Sequence, residues 1–219
     1  MPKTICPTCG VIPLADVAIY NQALRKQTFA LSPILPTCNT CGGEVTVKGN
    51  PQGAKILLLN GTCGSGKSAT AEELVKSHGY LAIDGDCAWQ SALYKLGLSK
   101  QALNFDSQEI FDEISAEIDI LSAIGRKIVL THVILPKDID KYQRLFESKG
   151  MDYRMVLLKP NYETAVKRTQ TRTCFGSVTP EEWVRYFYDR LVFDDMEVFD
   201  NSDLDVAQSA AAILQQVNL

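Results

Sequence analysis

Residues 55–68 join an apolar run to a glycine-rich turn, and this junction constrains the fold more than any other part of the chain. Lys55–Asn60 reads Lys-Ile-Leu-Leu-Leu-Asn, and the next eight residues read Gly-Thr-Cys-Gly-Ser-Gly-Lys-Ser. The apolar run has the length and character of a buried strand, and a helical pattern follows the turn. A strand that passes through Gly-x-x-x-x-Gly-Lys-Ser into a helix is the pattern of a Walker A phosphate-binding loop.

The chemistry of this loop follows from its backbone. Glycines let the chain curl so that successive N–H groups face one anion, and the start of the helix adds unpaired N–H donors. We expect Lys67 to contact the β- and γ-phosphates of ATP, and the hydroxyl of Ser68 to hold Mg²⁺. The expected nucleotide contacts are the consecutive positions of the loop: Gly61, Thr62, Cys63, Gly64, Ser65, Gly66, Lys67, Ser68 and Ala69.

The chain beyond residue 50 alternates strand patterns with helical patterns, so we expect an α/β domain over residues 51–219. This alternation predicts a parallel sheet with helices on both faces. Strands are expected at Lys55–Asn60, Tyr80–Asp84, Lys127–His132, Arg154–Leu158 and Glu197–Phe199. Helices are expected at Lys67–Ser77, Cys87–Leu96, Ser107–Ile124, Lys137–Lys149, Tyr162–Thr171, Pro180–Leu191 and Val206–Gln216.

Residues 1–50 form a separate unit in the sequence because they carry two copies of Cys-x-x-Cys-Gly. The four thiols are Cys6, Cys9, Cys38 and Cys41. Two such pairs resemble the knuckles of zinc ribbons and would complete a closed, structural Zn²⁺ site. A redox pair or two disulfides is the alternative. Between the pairs, we expect a short helix over Ala15–Lys26.

The second expected strand ends in Asp84-Gly85-Asp86, next to the expected phosphate loop. Here the sequence resembles the P-loop small-molecule kinases, such as the shikimate, gluconate, adenylylsulfate and chloramphenicol kinases. The resemblance implies a three-layer α/β/α fold in which Asp86 contacts the acceptor hydroxyl and takes its proton. Asp84 would assist through Mg²⁺ or by orienting the acceptor. The alternative is that Asp86 only caps the following helix.

Arginines near the end of the expected helix at residues 162–171 resemble the lid of the nucleoside-monophosphate-kinase group. The resemblance implies that Arg168 lies near the adenine or the phosphates, and that Arg172 closes on the transferring phosphoryl group. A solvated helix face is the alternative, since residues four apart share one side of a helix.

The third expected strand lacks the acidic end of a standard Walker B motif. Thr131 or His132 occupies that position. His132 is therefore a second candidate for the base, although a structural histidine fits equally well.

Composition limits the class of partner. The net charge of −4 argues mildly against a broad nucleic-acid surface, and the chain contains no apolar run long enough to span a membrane. The N-terminus lacks a signal-peptide pattern, so we expect a cytoplasmic protein. The expected function is transfer of the γ-phosphoryl of ATP to a small molecule that the sequence does not identify. A polynucleotide kinase and a nucleotide-binding adaptor or switch are the alternatives, and the oligomeric state stays open.

Overall fold

The computed structural model describes residues 3–12, 17–18, 37–43, 45–48, 51–97, 104, 107–124, 127–171 and 179–218. Its N-terminal part consists of short antiparallel strands, which are β1 (Lys3–Cys6), β2 (Gly10–Ile12), β3 (Val17–Ala18), β4 (Thr37–Cys38) and β5 (Thr46–Lys48). Strand β1 pairs with both β2 and β5, and β3 pairs with β4. The two pairs of cysteines lie at the ends and turns of these strands.

The predicted helix over Ala15–Lys26 is wrong at Val17–Ala18, which form strand β3. Val17 lies opposite Cys38 in the antiparallel pair, so the cross-strand pairing outweighs the local helical pattern. The rest of that predicted helix lies outside the described residues.

The large sheet contains five parallel strands in the order β10-β9-β6-β8-β7. The strands are β6 (Lys55–Asn60), β7 (Leu81–Asp84), β8 (Lys127–Thr131), β9 (Asp152–Leu158) and β10 (Glu197–Phe199). After β6, the next strand along the chain is β7, but β8 lies between these two strands in the sheet. Such a change in strand order opens a crevice at the carboxyl ends of the strands, where ligands of α/β proteins bind.

Seven helices accompany this sheet in the described part of the chain. They are α1 (Lys67–His78), α2 (Gly85–Leu96), α3 (Gln108–Ile124), α4 (Ile139–Ser148), α5 (Tyr162–Gln170), α6 (Glu181–Arg190) and α7 (Val206–Val217). A single 3₁₀ turn, Pro136–Asp138, precedes α4. The predicted elements beyond residue 50 are therefore confirmed, with ends that differ by no more than two residues.

Strand β6 separates two apolar cores because successive side chains point to opposite faces of a sheet. Ile56 and Leu58 pack on the side of α2, α3 and α4, and Leu57 and Leu59 pack on the side of α1 and α7. All four side chains are fully buried, and each contributes about 2 kcal/mol of hydrophobic stabilisation. The sheet is thus covered on both faces, which confirms the predicted three-layer arrangement.

The N-terminal strands contact the α/β part directly, because β5 packs against α3. Within the described residues, no helix combines the length and apolarity that crossing a bilayer requires.

Candidate active site

The loop between β6 and α1 has the tight backbone that its glycines predict. Gly64 has φ of +78°, and a side chain there would overlap the carbonyl oxygen of Ala165 in α5. Gly66 has φ of +96° and is the N-cap of α1, without a side-chain cap. The first N–H groups of α1 therefore face the crevice rather than a capping side chain, which is the arrangement that binds phosphate.

Lys67 lies over the same loop. Its Nζ donates to the carbonyl oxygens of Gly61 at 2.6 Å and Thr62 at 2.9 Å. Lys67 and Ser68 both line a cavity of about 930 Å³ at the carboxyl edge of the sheet. That volume accommodates a nucleotide-sized ligand.

Asp84 and Asp86 line this same cavity, as the sequence predicts. Asp84 ends β7 and pairs in register with Thr131 of β8. The backbone N–H of Asp86 donates to Oδ1 of Asp84 at 2.9 Å, so the start of α2 holds the first carboxylate. The structure thus brings both acids, Lys67 and Ser68 to one cavity, where acids and a hydroxyl are suitable ligands for Mg²⁺.

His132 also lies at this edge of the sheet and is buried. Its ring packs so closely on Gly85 that any side chain at position 85 would overlap the imidazole. His132 lines the 930 Å³ cavity and also a second cavity of about 620 Å³. Val133 and Phe187 line both cavities as well, so the two cavities adjoin at these three residues.

Arg168 connects helix α5 to the phosphate loop through Asn201. Its Nη2 donates to the carbonyl oxygen of Asn201 at 2.8 Å, and Nδ2 of Asn201 donates to the carbonyl oxygen of Ser65 at 3.0 Å. The Arg168 Nη1 is buried and has no hydrogen-bond partner among the described residues, although its side chain lines the large cavity. A bound anion would satisfy that donor. Arg172, the other predicted lid arginine, lies outside the described residues.

Asn60 and Asn201 were not predicted as site residues. Asn60 is fully buried, and its side chain accepts from the N–H groups of Gly61 and Ile134 and donates to the carbonyl of Ile134. Thr62 donates to the carbonyl oxygen of Val184 at 3.1 Å and so ties the phosphate loop to α6. A polar residue at the end of an otherwise apolar strand was the available signal for Asn60. Thr62 is a predicted nucleotide contact, but no local pattern indicated its bond to Val184, which is 122 residues away.

The four paired cysteines form a single cluster in the N-terminal sheets. Their Sγ atoms all lie within 4.8 Å of one another, with Cys6 and Cys41 at 3.4 Å and Cys9 and Cys38 at 3.9 Å. Four sulfurs bound tetrahedrally at a Zn–S distance of about 2.3 Å would be about 3.8 Å apart. The cluster therefore fits a zinc ion.

Backbone donors favour the thiolate form at two of these positions. The N–H of Cys9 donates to Sγ of Cys6 at 3.3 Å and lowers the pKa of that thiol. The N–H groups of Cys41 and Thr40 lower the pKa of Cys38 to about 7. A hydrogen bond with Cys41 raises the pKa of Cys9 to about 12. Because the thiolate is the metal ligand, the lowered pKa values prepare Cys6 and Cys38 for a metal.

No protein-family model matches this chain, and a search of curated proteins finds no match. Solved structures do match. The tunicamycin resistance protein of Deinococcus radiodurans aligns with a TM-score of 0.57 and 20% identity, over 76% of this chain and 96% of that chain. The gluconokinase of Sinorhizobium meliloti aligns at 0.53 and 19%, over 78% and 95%. The APS kinase of Mycobacterium tuberculosis aligns at 0.52 and 17%, over 77% and 100%. The α/β part of this chain therefore has the fold of the P-loop kinases.

Proposed function

We propose that this protein is an ATP-dependent phosphotransferase that moves the γ-phosphoryl group of ATP to a hydroxyl of a small molecule. One observation carries the proposal: the glycine-rich loop with Lys67 and Ser68 shares a cavity with Asp84 and Asp86. A second cavity adjoins it, so there is space for two substrates side by side. Two of the aligned structures are named as kinases of small molecules, gluconokinase and APS kinase, which supports the same reaction class.

In the proposed reaction, the acceptor oxygen forms a bond to the γ-phosphorus while the bond from that phosphorus to the β–γ bridging oxygen breaks. The acceptor proton goes to the carboxylate of Asp86, and ADP leaves. Lys67 and the N–H groups of the loop bind the phosphates and balance their charge. Arg168 contributes a further cation from α5, and we assign the same role to Arg172.

Ser68 and Asp84 would hold Mg²⁺, which neutralises charge on the phosphates when bound. The bond from the N–H of Asp86 fixes the carboxylate of Asp84 beside the cavity that Ser68 also lines. Asp84 ends β7 and Asp86 lies in the first turn of α2, and we assign the first to the metal and the second to the acceptor proton.

We also propose that Cys6, Cys9, Cys38 and Cys41 hold one structural Zn²⁺, and that the chain divides near residue 50 into a zinc module and a kinase domain. A site with four thiolate ligands has no open position for a substrate, so its contribution is to stability. Reduced thiols of this kind are typical of the cytoplasm, where we place the protein.

The test is transfer of radiolabelled phosphoryl from ATP to a panel of hydroxyl compounds by the full, zinc-loaded chain. The panel contains sugar acids, hydroxylated aromatic acids, nucleosides and 5′-hydroxyl oligonucleotides. Label on a small molecule supports the proposal. Label only on oligonucleotides would instead indicate a polynucleotide kinase. ATP binding with no transfer to any compound would favour an adaptor or switch.

A further inference from the structure

The second cavity lies beside the 930 Å³ cavity and shares His132, Val133 and Phe187 with it. It is bounded by residues from the loop after β8, from the starts of α3 and α4, and from α6. Its volume of about 620 Å³ is in the range of pockets that enclose a drug-sized molecule.

Four aromatic rings line this cavity, in two edge-to-face pairs. Phe111 of α3 and Tyr142 of α4 have ring centroids 5.2 Å apart at an angle of 78°. Tyr186 and Phe187 of α6 are also 5.2 Å apart, at 89°. Tyr186 is 47% exposed although it is a large aromatic residue. Tyr142 and Phe187 are buried, so Phe111 and Tyr186 are the more accessible rings of the two pairs and offer apolar surface to a ring of a ligand.

Each aromatic pair carries a cation. The Lys141 Nζ lies 4.2 Å from the centroid of Phe111, and Cζ of Arg190 lies 3.9 Å from the centroid of Tyr186. Lys137 is a third cation of the lining, and Asp138, 3.8 Å from Lys137, is the carboxylate among the lining residues. The lining therefore has an excess of positive charge in a chain whose net charge is −4. Such an excess within a concave site attracts an anion.

One buried oxygen atom of the lining is also available for a ligand. Oγ of Ser107 is buried and has no hydrogen-bond partner among the residues that the structure describes. A buried polar atom without a partner costs about 1–3 kcal/mol, and a hydroxyl or amine of a ligand would recover that cost.

We propose that this cavity binds the phosphoryl acceptor, and that the acceptor is a planar, ring-containing small molecule with a hydroxyl group and a carboxylate or phosphate. The inference rests on the proposed phosphotransferase function and adds the chemical class of its acceptor. The ring lies against Phe111 and Tyr186, and the anion lies near Lys141 and Arg190. The hydroxyl then lies at the junction of the two cavities, by His132 and Phe187.

Calorimetric titration of the full, zinc-loaded chain without nucleotide tests this proposal. The first probe is 4-(hydroxymethyl)benzoate, and its amide is the uncharged control. 4-(Hydroxymethyl)cyclohexanecarboxylate keeps the charge but lacks the planar ring. 4-(Hydroxymethyl)phenyl phosphate replaces the carboxylate by a phosphate and so distinguishes the two kinds of anion. We expect the benzoate or the phenyl phosphate to bind about tenfold more tightly than the amide, since each adds a charge-assisted contact. We also expect the benzoate to bind more tightly than the cyclohexane acid.

The tighter binding of the charged probes should disappear in the double variant Lys141→Gln/Arg190→Gln. It should persist in Lys76→Gln, which removes an exposed cation of α1 that does not line the second cavity. Equal binding of the acids and the amide overturns the proposal, and that comparison needs only the unaltered chain. Retention of the preference in the double variant, or no binding of any probe at millimolar concentration, overturns it too. ATP binding is measured separately, so failure here is distinguishable from failure of the phosphotransferase proposal.

Discussion

The backbone N–H of Asp86 donates a hydrogen bond of 2.9 Å to Oδ1 of Asp84. This bond holds Asp84 at the end of β7 and places Asp86 in the first turn of α2, on the same cavity. The two acids therefore line one cavity from neighbouring elements, and the roles that we propose for them predict different effects of the same substitution.

Asp86→Asn removes the proposed base while it keeps the size of the side chain. We expect the rate of phosphoryl transfer to fall by about 10²- to 10⁴-fold, because general-base catalysis contributes that much, with little change in ATP affinity. Single-turnover kinetics and equilibrium titration with ATP measure the two effects. A collapse of ATP affinity instead would place Asp86 in the metal shell.

His132→Gln is the matched comparison for this assignment. His132 also lines the cavity, but its ring packs against Gly85 and lies 6.0 Å from the ring of Tyr142. We expect a smaller loss of rate than in Asp86→Asn and a lower melting temperature. If the rate falls further in His132→Gln than in Asp86→Asn, the histidine is the base.

Lys67→Ala should abolish ATP binding, because it removes the cation that we expect to contact the phosphates. Cys63 provides a readout that does not depend on turnover, since it lines the same cavity and its thiol is free. ATP should protect Cys63 from alkylation in the unaltered chain, and peptide mapping by mass spectrometry follows that protection.

Loss of protection in Lys67→Ala, with protection kept in Lys76→Ala, would support the phosphate-loop assignment. Normal ATP turnover by Lys67→Ala would refute it.

The residues that sequence predicted well are those whose role depends on local pattern. The loop at residues 61–68 needs glycines at fixed spacing, and the strands and helices beyond residue 50 follow hydrophobic periodicity. The clustering of the four cysteines was also predictable, because two Cys-x-x-Cys pairs are a local feature.

The residues that sequence missed have partners far along the chain. Asn60 bonds to Ile134 and Asn201 to Ser65, and no local pattern records contacts across 74 or 136 residues. At Val17–Ala18, the local pattern indicated a helix, but these residues form a strand because they pair with Thr37–Cys38. The second cavity also depends on contacts between distant segments, since α3, α4 and α6 all contribute to it.

Asn60→Ala tests whether these long-range bonds stabilise the fold. The substitution leaves the N–H groups of Gly61 and Ile134 and the carbonyl of Ile134 without their partner in a fully buried place. We expect a loss of about 3 kcal/mol, and hence a fall in melting temperature of about 9 °C for a chain of this size. Thermal unfolding followed by circular dichroism measures it.

Gln216→Ala, on the exposed side of α7, is the control and should change stability by less than about 0.5 kcal/mol. If Asn60→Ala unfolds at the same temperature as this control, water or a local rearrangement replaces the bonds of Asn60.

Removal of zinc tests the N-terminal module and its link to the kinase domain. Elemental analysis of reduced protein should find about one zinc per chain. Strand β5 packs against α3, and α3 contributes Phe111 to the second cavity. We therefore expect metal loss to lower the melting temperature. We also expect it to weaken binding of the acceptor probes more than binding of ATP. Cys38→Ala should reproduce the effect of a chelator, whereas Cys87→Ala, which alters a thiol outside the cluster, should keep the metal. Protein that is kept reduced, contains no zinc and unfolds at the same temperature with and without chelator would show that the four thiols hold no metal.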